Sequence, residues 1–132
     1  MVKNDDGSIS NGEILSDIWD LTSEKSKIAK EGSVPFFSKK PTKMLRMLIR
    51  LISGKNCNEF LLGDFFAGSA SLFESALREG KKYICILCQK DESVQPGSEE
   101  YKAGFRRIPQ ITIKRMKNVV KKHPGEGFQI FR

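Results

Sequence analysis

The chain has few of the residues that build metal centres or covalent frameworks. It contains one histidine, His123, and three cysteines among 132 residues, and an odd number of cysteines cannot all pair within one chain. Cys85 and Cys88 form a C-x-x-C, but both fall within the apolar run Tyr83–Cys88, which has the composition of a strand. Side chains three apart on a strand point to opposite faces, so we expect core thiols and not a metal or redox site.

Long hydrophobic runs are also absent, since even Tyr83–Cys88 is far shorter than the stretch of about 20 apolar residues that spans a bilayer. Met1 is followed by a polar segment with neither the basic start nor the apolar core of a signal peptide. With 39% apolar residues the composition is that of a globular protein, and the length allows one domain. We therefore expect a cytoplasmic protein that does not associate with membranes.

Acidic residues are fewer than basic ones. The chain has 16 aspartates and glutamates against 23 lysines and arginines, which gives a net charge of +7. This excess favours a polyanionic partner through non-specific attraction. The basic residues gather on two predicted helix faces, formed by Lys43, Arg46 and Arg50 and by Lys114, Lys117 and Lys121. Such faces are most often solvated surfaces, and the second has no aromatic residue on which single strands would stack.

Hydrophobic spacing predicts a first clear helix over 43–53. Apolar residues recur at i, i+3, i+4 and i+7, namely at Leu45, Leu48, Ile49 and Ile52. Thr42 is the predicted N-cap and Gly54 the predicted stop.

A strand, a turn of small residues, a helix and a second strand come next, within about 30 residues, the length of one βαβ unit. The strands are predicted over 60–66 and 83–88, and the helix between them over 71–79. The predicted buried face of that helix consists of Leu72, Phe73, Ala76 and Leu77. We expect the two strands to be parallel and adjacent, with a right-handed crossover.

The two ends of the chain are less regular. Residues 1–12 are polar and predict a disordered start, and an apolar patch follows over 14–21. A last helix is predicted to begin near Pro109, and 127–131 predict a short final strand. The buried side of the last helix is predicted to carry Thr112, Met116, Val119 and Val120.

The turn of the βαβ unit, G-D-F-F-A-G-S-A-S over 63–71, is the segment most informative about function. Small residues let a backbone approach a ligand closely, and the following helix start offers unpaired N–H groups with a partial positive charge. A carboxylate or phosphate would be held there, and Asp64 at the strand tip would take an ammonium group.

Three interpretations of the turn compete on its residues alone. Gly63 and Gly68 have the spacing of a phosphate loop, but Ser69 and Ala70 stand where Lys and Ser or Thr are needed. The G-x-G-x-x-G fingerprint of dinucleotide sites is absent. A tight strand-to-helix turn with no ligand stays open.

The segment Asp64–Ser69 resembles the D-F-F-A-G-S-G signature of amino-group DNA methyltransferases, especially the modification subunits of type III restriction systems. Pro35–Pro41 and the helix after it are similar to the K-P element of that family. Glu99–Phe105 and the last helix resemble its Y-K-A-G-[FY] stretch and helix. The likeness runs from about Ile14 to the end of the chain, in the same order of elements.

The resemblance implies an α/β fold, a partial Rossmann-like methyltransferase sheet in which a parallel βαβ unit has flanking helices. Residues 1–132 would form a single partial domain, with a cofactor-binding unit over 35–90 and a C-terminal helix and strand over 99–132. The cofactor implied is S-adenosylmethionine, and Lys40 and Pro41 would flank its methionine end. The residues implied to bind it are Lys40, Pro41, Asp64, Phe65, Phe66, Ala67, Gly68, Ser69 and Ala70.

The sequence departs from this family at two positions of the cofactor site. Ala70 replaces the second glycine of the signature, and its methyl group would crowd the cofactor or disfavour a positive φ unless the backbone is already helical. The acidic residue expected after the second strand for the ribose hydroxyls is also poorly placed, because Asp91 and Glu92 come one or two residues late.

The catalytic [DNS]-P-P-[YFW] motif of the family is absent, since none of the five prolines are adjacent. A flipped adenine must stack on the aromatic ring of that motif and present its amino nitrogen to the methyl donor. In this permuted class the motif lies upstream of the cofactor turn, so we expect a cofactor-binding part that is inactive alone.

Double-stranded DNA would be bound by the complete enzyme, and an N-terminal half, a restriction subunit or a second copy are the protein partners considered. The alternative is a non-catalytic nucleic-acid-binding or subunit-interaction remnant that uses the two basic faces.

Overall fold

The computed structural model describes residues 2–3, 9–10, 31–54, 59–80 and 82–131. The apolar patch predicted over 14–21 and the thiol of Cys57 therefore lie outside the described residues. In chain order the elements are β1 (Val2–Lys3), β2 (Ile9–Ser10), α1 (Thr42–Ser53), β3 (Glu59–Asp64), α2 (Ser71–Arg78), β4 (Lys82–Leu87), α3 (Glu99–Lys102) and α4 (Ile108–Val120), with a 3-10 turn at Glu31–Ser33 before α1. None of the helices in these parts of the chain is long and apolar enough to cross a membrane.

β1 and β2 pair antiparallel, with Val2 opposite Ser10 and Lys3 opposite Ile9. Strand pairing at these four residues differs from the disordered start predicted over 1–12. The rest of that segment lies outside the described residues.

β3 and β4 form the parallel pair that the sequence predicts, with α2 between them in the chain. The register runs from Glu59 opposite Lys82 to Asp64 opposite Leu87. β3 ends two residues earlier than predicted, so Phe65 and Phe66 belong to the turn and not to the strand. The segment Asp64–Ser69 therefore begins on the last residue of a strand and continues outside the sheet.

The two faces of this sheet differ in burial. Alternate residues of both strands are half-buried, among them Cys85 and Leu87, which pack with the core of α2 and α4. On the opposite face Leu61, Ile84 and Ile86 are 65%, 69% and 54% exposed. One face of the parallel pair is thus apolar and open to solvent.

The thiols of the C-x-x-C do not both lie in the core. Cys85 is half-buried, and its burial, with a smaller contribution from Asp64, raises its pKa to about 11. Cys88 is exposed, because it continues the alternation of β4 onto the open face of the sheet, where its N–H still donates to the Asp64 carbonyl at 2.7 Å. The prediction of a core thiol is therefore wrong for Cys88.

Two hydrophobic clusters form the core, and the second of them joins the helices to the sheet. The first contains Val34, Val94 and Ile111, and the second contains Ala70, Phe73 and Val119. Phe128 joins the second cluster, with its ring centroid 6.1 Å from that of Phe73 in an edge-to-face arrangement. The strand predicted over 127–131 is not formed, because this segment lies along the core through Phe128 instead of pairing with a strand edge.

α1 runs over Thr42–Ser53, one residue longer than predicted at its start, and it keeps most of the predicted buried face. Ile49 is buried and Leu45 and Leu48 are half-buried, whereas Ile52, predicted to be buried, is 70% exposed. The guanidinium groups of Arg46 and Arg50 both pair with Glu79, which follows α2, and so link the two helices, although the side chain of Arg50 is 61% exposed. Pro41 and not Thr42 is the N-cap.

Candidate functional site

A cavity of about 300 Å³ opens at the carboxyl end of β3, a size at the low end of small-molecule sites. Its wall combines apolar side chains, hydroxyls and one charge of each sign, from Lys40 and Asp64. The lining residues are Phe36, Ser38, Lys40, Leu45, Asp64, Phe66, Ala67, Gly68, Ser69, Ser71 and Leu72.

Six of the nine site residues chosen from the sequence line this cavity, namely Lys40, Asp64, Phe66, Ala67, Gly68 and Ser69. The other three do not. Pro41 caps α1, Phe65 is 75% exposed, and Ala70 is fully buried against Phe73 and Val119. The apolar wall from Phe36, Leu45 and Leu72 was not foreseen as part of a site, because nothing in hydrophobic spacing separates a cavity wall from an ordinary core.

The turn after β3 is shaped by local hydrogen bonds. Asp64 Oδ1 accepts the main-chain N–H of Phe66 at 3.0 Å, and the Ala67 N–H donates to the carbonyl of Cys88 at 3.1 Å. Gly68 has a φ of +51°, and a Cβ added there would lie 3.3 Å from the ring of Phe36. A glycine is therefore favoured on two grounds, its left-handed backbone angle and the tight contact that a Cβ would make with the aromatic ring.

Ala70 is the N-cap of α2 and has a left-handed backbone, with φ 60° and ψ 38°. The interpretation that alanine is tolerated because its backbone is helical is therefore wrong. No side chain caps α2, so the amide donors of its first turn have no side-chain acceptor. Ser71 and Leu72, which supply that turn, line the cavity.

Gly68 is held from both sides by residues far along the chain. Its N–H donates to Gln89 Oε1 at 2.6 Å, and its carbonyl accepts a hydrogen bond from the Thr112 hydroxyl. Gln89 lies two residues beyond β4, at the same sheet edge as Asp64, and sequence reasoning missed it. Asp91, considered for a ribose contact, instead pairs with Arg107 at 3.4 Å.

The segment before α1 is tied to the rest of the chain by two carboxylates. Glu100 Oε1 accepts the N–H of Phe37 at 2.6 Å, which joins the K-P element to the Y-K-A-G stretch. Burial opposes ionisation of Glu100, but hydrogen bonds from its own and the Phe37 main chain and from Ser98 outweigh it and lower its pKa. Glu31 accepts the Thr42 hydroxyl at 2.6 Å.

The two adjacent lysines of this segment have different environments. Lys39 is buried, and its ammonium donates to the carbonyl of Glu31 at 2.9 Å. Burial, followed by the nearby Arg115, lowers the pKa of Lys39, although Glu31 and Glu74 act in the opposite direction. Lys40 is exposed and is the lysine that faces the cavity.

Comparison with known proteins places the chain in a family. The model of the N6/N4 methyltransferases, described as DNA methylase, matches residues 2–96. The match covers more than half of the chain, so this protein belongs to the DNA methylase family.

The relatives found are modification subunits of type III restriction systems. The chain is 34% identical over 97 residues to the type III restriction-modification enzyme EcoPI Mod subunit of Escherichia phage P1, covering 69% of this chain and 14% of that protein. It is 28% identical over 122 residues to the StyLTI Mod subunit of Salmonella typhimurium, covering 86% and 18%. It is also 28% identical over 115 residues to the EcoP15I Mod subunit of Escherichia coli, covering 84% and 17%. The chain thus spans less than a fifth of the length of these relatives.

Proposed function

We propose that this chain is the S-adenosylmethionine-binding portion of a site-specific adenine-N6 DNA methyltransferase of a restriction-modification system. The observation that carries the proposal is the cavity at the end of β3, which is lined both by the carboxylate of Asp64 and by the first residues of the uncapped helix α2. An amino acid presents an ammonium and a carboxylate a short distance apart. The Asp64 carboxylate suits the ammonium, and the start of α2 suits the carboxylate. S-adenosylmethionine would supply the methyl group.

The chain's own residues have separate tasks in this site. Asp64 would accept hydrogen bonds from the ligand ammonium, and the first-turn amides of α2 would donate to its carboxylate. Phe36, Leu45 and Leu72 would exclude water from the less polar part of the ligand, which strengthens both charged contacts. Lys40 at the cavity would attract the carboxylate end.

We further propose that β3 and β4 are two strands of a larger Rossmann-like sheet. Parallel sheets are almost always covered on both faces, yet Leu61, Ile84 and Ile86 are exposed on one face of this pair. The rest of the methyltransferase, as a longer chain or a separate N-terminal half, would cover that face. It would also bring the D-P-P-Y-type segment that orients the target adenine.

The alternative, a nucleic-acid-binding remnant, has less support from the basic faces. Arg46 and Arg50 share the single carboxylate of Glu79, so part of the positive charge of α1 is offset within the chain. Lys114, Lys117 and Lys121 are exposed on α4 and remain the face for double-stranded DNA in this alternative. A chain that binds DNA through α4 but shows no saturable response to S-adenosylmethionine would favour the alternative.

Titration of the isotope-labelled chain with S-adenosylmethionine, followed by NMR, tests the proposal. We expect a dissociation constant of about 0.1 mM or weaker, because part of the pocket wall would be missing and a loss of about 3 kcal/mol weakens binding roughly a hundredfold. Asp64→Asn keeps the shape but removes the charge and should weaken binding at least about tenfold. Asp91→Asn is the matched control, since Asp91 is paired with Arg107 and does not line the cavity. Equal affinity of wild type and Asp64→Asn would contradict the assigned role of Asp64.

A further inference from the structure

Arg115 of α4 is fully buried, although arginine is among the residues least often found inside a protein. Its guanidinium forms hydrogen bonds to three side chains. Nε donates to Glu74 Oε2 at 2.8 Å, and Nη1 donates to the hydroxyls of Ser69 and Ser71 at 2.9 and 2.8 Å. Nη2 lies 2.8 Å from the same Glu74 oxygen, which completes an ion pair with a carboxylate that is itself 4% exposed.

The two serines connect Arg115 to the candidate cofactor cavity. Both Ser69 and Ser71 line it, and their hydroxyl oxygens lie 3.3 Å apart. Ala70, the left-handed residue at which α2 begins, lies between them in the chain. One nitrogen of a planar guanidinium therefore holds both neighbours of the residue that sets the direction of the α2 amides.

The surroundings leave Arg115 little freedom. A Cβ on Gly32 would lie 2.4 Å from its Cγ and Nε, so the backbone of the 3-10 turn is pressed against the side chain. Glu31 Oε2 lies 3.6 Å from Nη2 and adds a second negative charge. The guanidinium is thus fixed by α2 on one side and by the segment before α1 on the other.

We propose that Arg115 is the positioning residue of the cofactor turn, holding Ser69 and Ser71 so that Ala70 stays left-handed and the first-turn amides of α2 face the cavity. Arg115 does not touch the ligand, because it is fully buried behind the cavity wall. This role rests on the proposed function. It predicts that Arg115 affects ligand affinity through the serines and not only through the stability of the fold.

The test compares Arg115→Lys, Ser71→Ala and the double variant with wild type. Lysine keeps the positive charge beside Glu74 but cannot hold both serines in the fork geometry of arginine. Arg78→Lys is the matched control, since Arg78 also pairs with Glu74 but does not contact the serines. Two readouts are taken by NMR: the Cα and Cβ chemical shifts of Ala70 without ligand, and the affinity for S-adenosylmethionine.

We expect each single variant to move the Ala70 shifts and to weaken binding about tenfold, the range for a hydrogen bond to a charged group. The double variant should be no weaker than the weaker single variant, because both changes remove the same contact. Arg78→Lys should change neither readout. If Arg115→Lys does not fold, Ser71→Ala alone tests the proposal, with the same expected change in the Ala70 shifts and the same loss of affinity.

Two outcomes would overturn the role of Arg115. One is that a folded Ser71→Ala or Arg115→Lys chain has the Ala70 chemical shifts of wild type and the same affinity for S-adenosylmethionine. The other is full additivity of the two changes in affinity. Absence of binding by wild type, together with displaced Ala70 shifts in both variants, would instead retain Arg115 as the residue that positions the turn and reject S-adenosylmethionine as its ligand.

Discussion

The hydroxyl of Thr112 donates a hydrogen bond to the main-chain carbonyl of Gly68, across 44 residues of sequence. Thr112 lies on α4 and Gly68 in the turn after β3, so the last helix supports the candidate cofactor turn directly. The N–H of the same glycine is held by Gln89 at the end of β4. The turn is therefore held by two separate parts of the chain, α4 and the segment after β4.

Replacing Gln89 by alanine should loosen this turn. The Gly68 N–H would lose its acceptor, and we expect a loss of about 1 kcal/mol in the free energy of unfolding and a several-fold weaker affinity for S-adenosylmethionine. Gln95→Ala is the control, because Gln95 is an exposed glutamine and only its main-chain carbonyl accepts a hydrogen bond, from the Ser98 N–H. Urea unfolding and NMR titration measure the two effects. Equal stability and affinity in the two variants would show that Gln89 does not support the turn.

Because Ala70 has a left-handed backbone, replacing it by glycine should affect stability differently from the same change at Ala76. Ala70 and Ala76 are 0% and 1% exposed, but only Ala70 has a positive φ. Ala76→Gly should cost about 1 kcal/mol or more, since glycine is unfavourable inside a helix. Ala70→Gly relieves about 1–2 kcal/mol of left-handed strain, which offsets the lost burial of the methyl group and the larger chain entropy of glycine, so this change should be close to neutral. Urea unfolding of both variants gives the comparison, and equal losses would contradict a left-handed Ala70.

Acid should weaken the contact between α1 and α2. Burial opposes ionisation of Glu79, but hydrogen bonds from Arg50 and Arg46 outweigh it and hold its pKa below the ordinary 4.5. A carboxyl whose pKa is lowered in the folded state contributes stability that is fully present above its ordinary value and is lost as the pH falls through the lowered one. The free energy of unfolding should therefore decline below about pH 4.5, and less steeply in Glu79→Gln.

Other carboxylates also contribute to the acid dependence or serve as its control. Glu100 also has a lowered pKa, so Glu79→Gln should reduce the acid dependence without removing it. Glu99→Gln is the control, because its carboxylate is 79% exposed and pairs only with Lys102 at the surface. The same pH slope in wild type and Glu79→Gln would contradict the contribution assigned to the Glu79 ion pairs.

The βαβ unit could be predicted because its signals are local. An apolar run, a turn of small residues and a helical pattern follow one another in the sequence, and the family signature lies on that turn. The buried face of α1 was predicted correctly at Leu45, Leu48 and Ile49 but not at its last position. Hydrophobic spacing also chose Ile52, which lies near the end of the helix and is exposed, because spacing alone does not show where the contact with the rest of the fold ends.

The contacts of Thr112 and Arg115 with the candidate site could not be predicted, because their partners are distant in the sequence. Thr112 was correctly predicted to lie on the buried side of the last helix, but its partner 44 residues away leaves no trace in the sequence. Arg115 lies among the lysines of the same helix, and composition alone assigns such a residue to the surface. Its burial depends on Glu74, Ser69 and Ser71, which only the fold brings together.

The two described thiols should differ sharply in reactivity. The Cys85 pKa of about 11 leaves only about 0.1% of its thiol ionised at pH 8, and the thiolate is the reacting species. Cys88 is exposed and should be alkylated by iodoacetamide much faster. Mass spectrometry of a Cys57→Ser chain follows the two sites separately. Modification of Cys85 as fast as Cys88 would contradict the burial of Cys85.

We expect the isolated chain to transfer no methyl group to DNA, because its sequence has no [DNS]-P-P-[YFW] segment of the kind that holds and orients the amino group of a flipped adenine. Its five prolines include no adjacent pair, so the D-P-P-Y-type segment of the family is absent from the sequence. Cofactor binding would not change this result, since bringing a donor close without aligning it leaves most of the barrier in place. Incorporation of tritiated methyl groups into mixed-sequence duplex DNA is the measurement.

Mixing the chain with a polypeptide that carries the upstream part of a type III Mod subunit gives the complementary experiment. Methyl transfer should appear if the two parts associate through the exposed sheet face of Leu61, Ile84 and Ile86. In that mixture Asp64→Asn should lower activity strongly by removing the ammonium contact, while Asp91→Asn should leave it unchanged, because Asp91 does not line the cavity. Ile84→Asp should abolish transfer by preventing association, without altering cofactor binding by the chain alone, since Ile84 lies on the face opposite the core. Turnover by the 132-residue chain by itself, free of host methyltransferase, would show that the residues for the chemistry lie within this sequence.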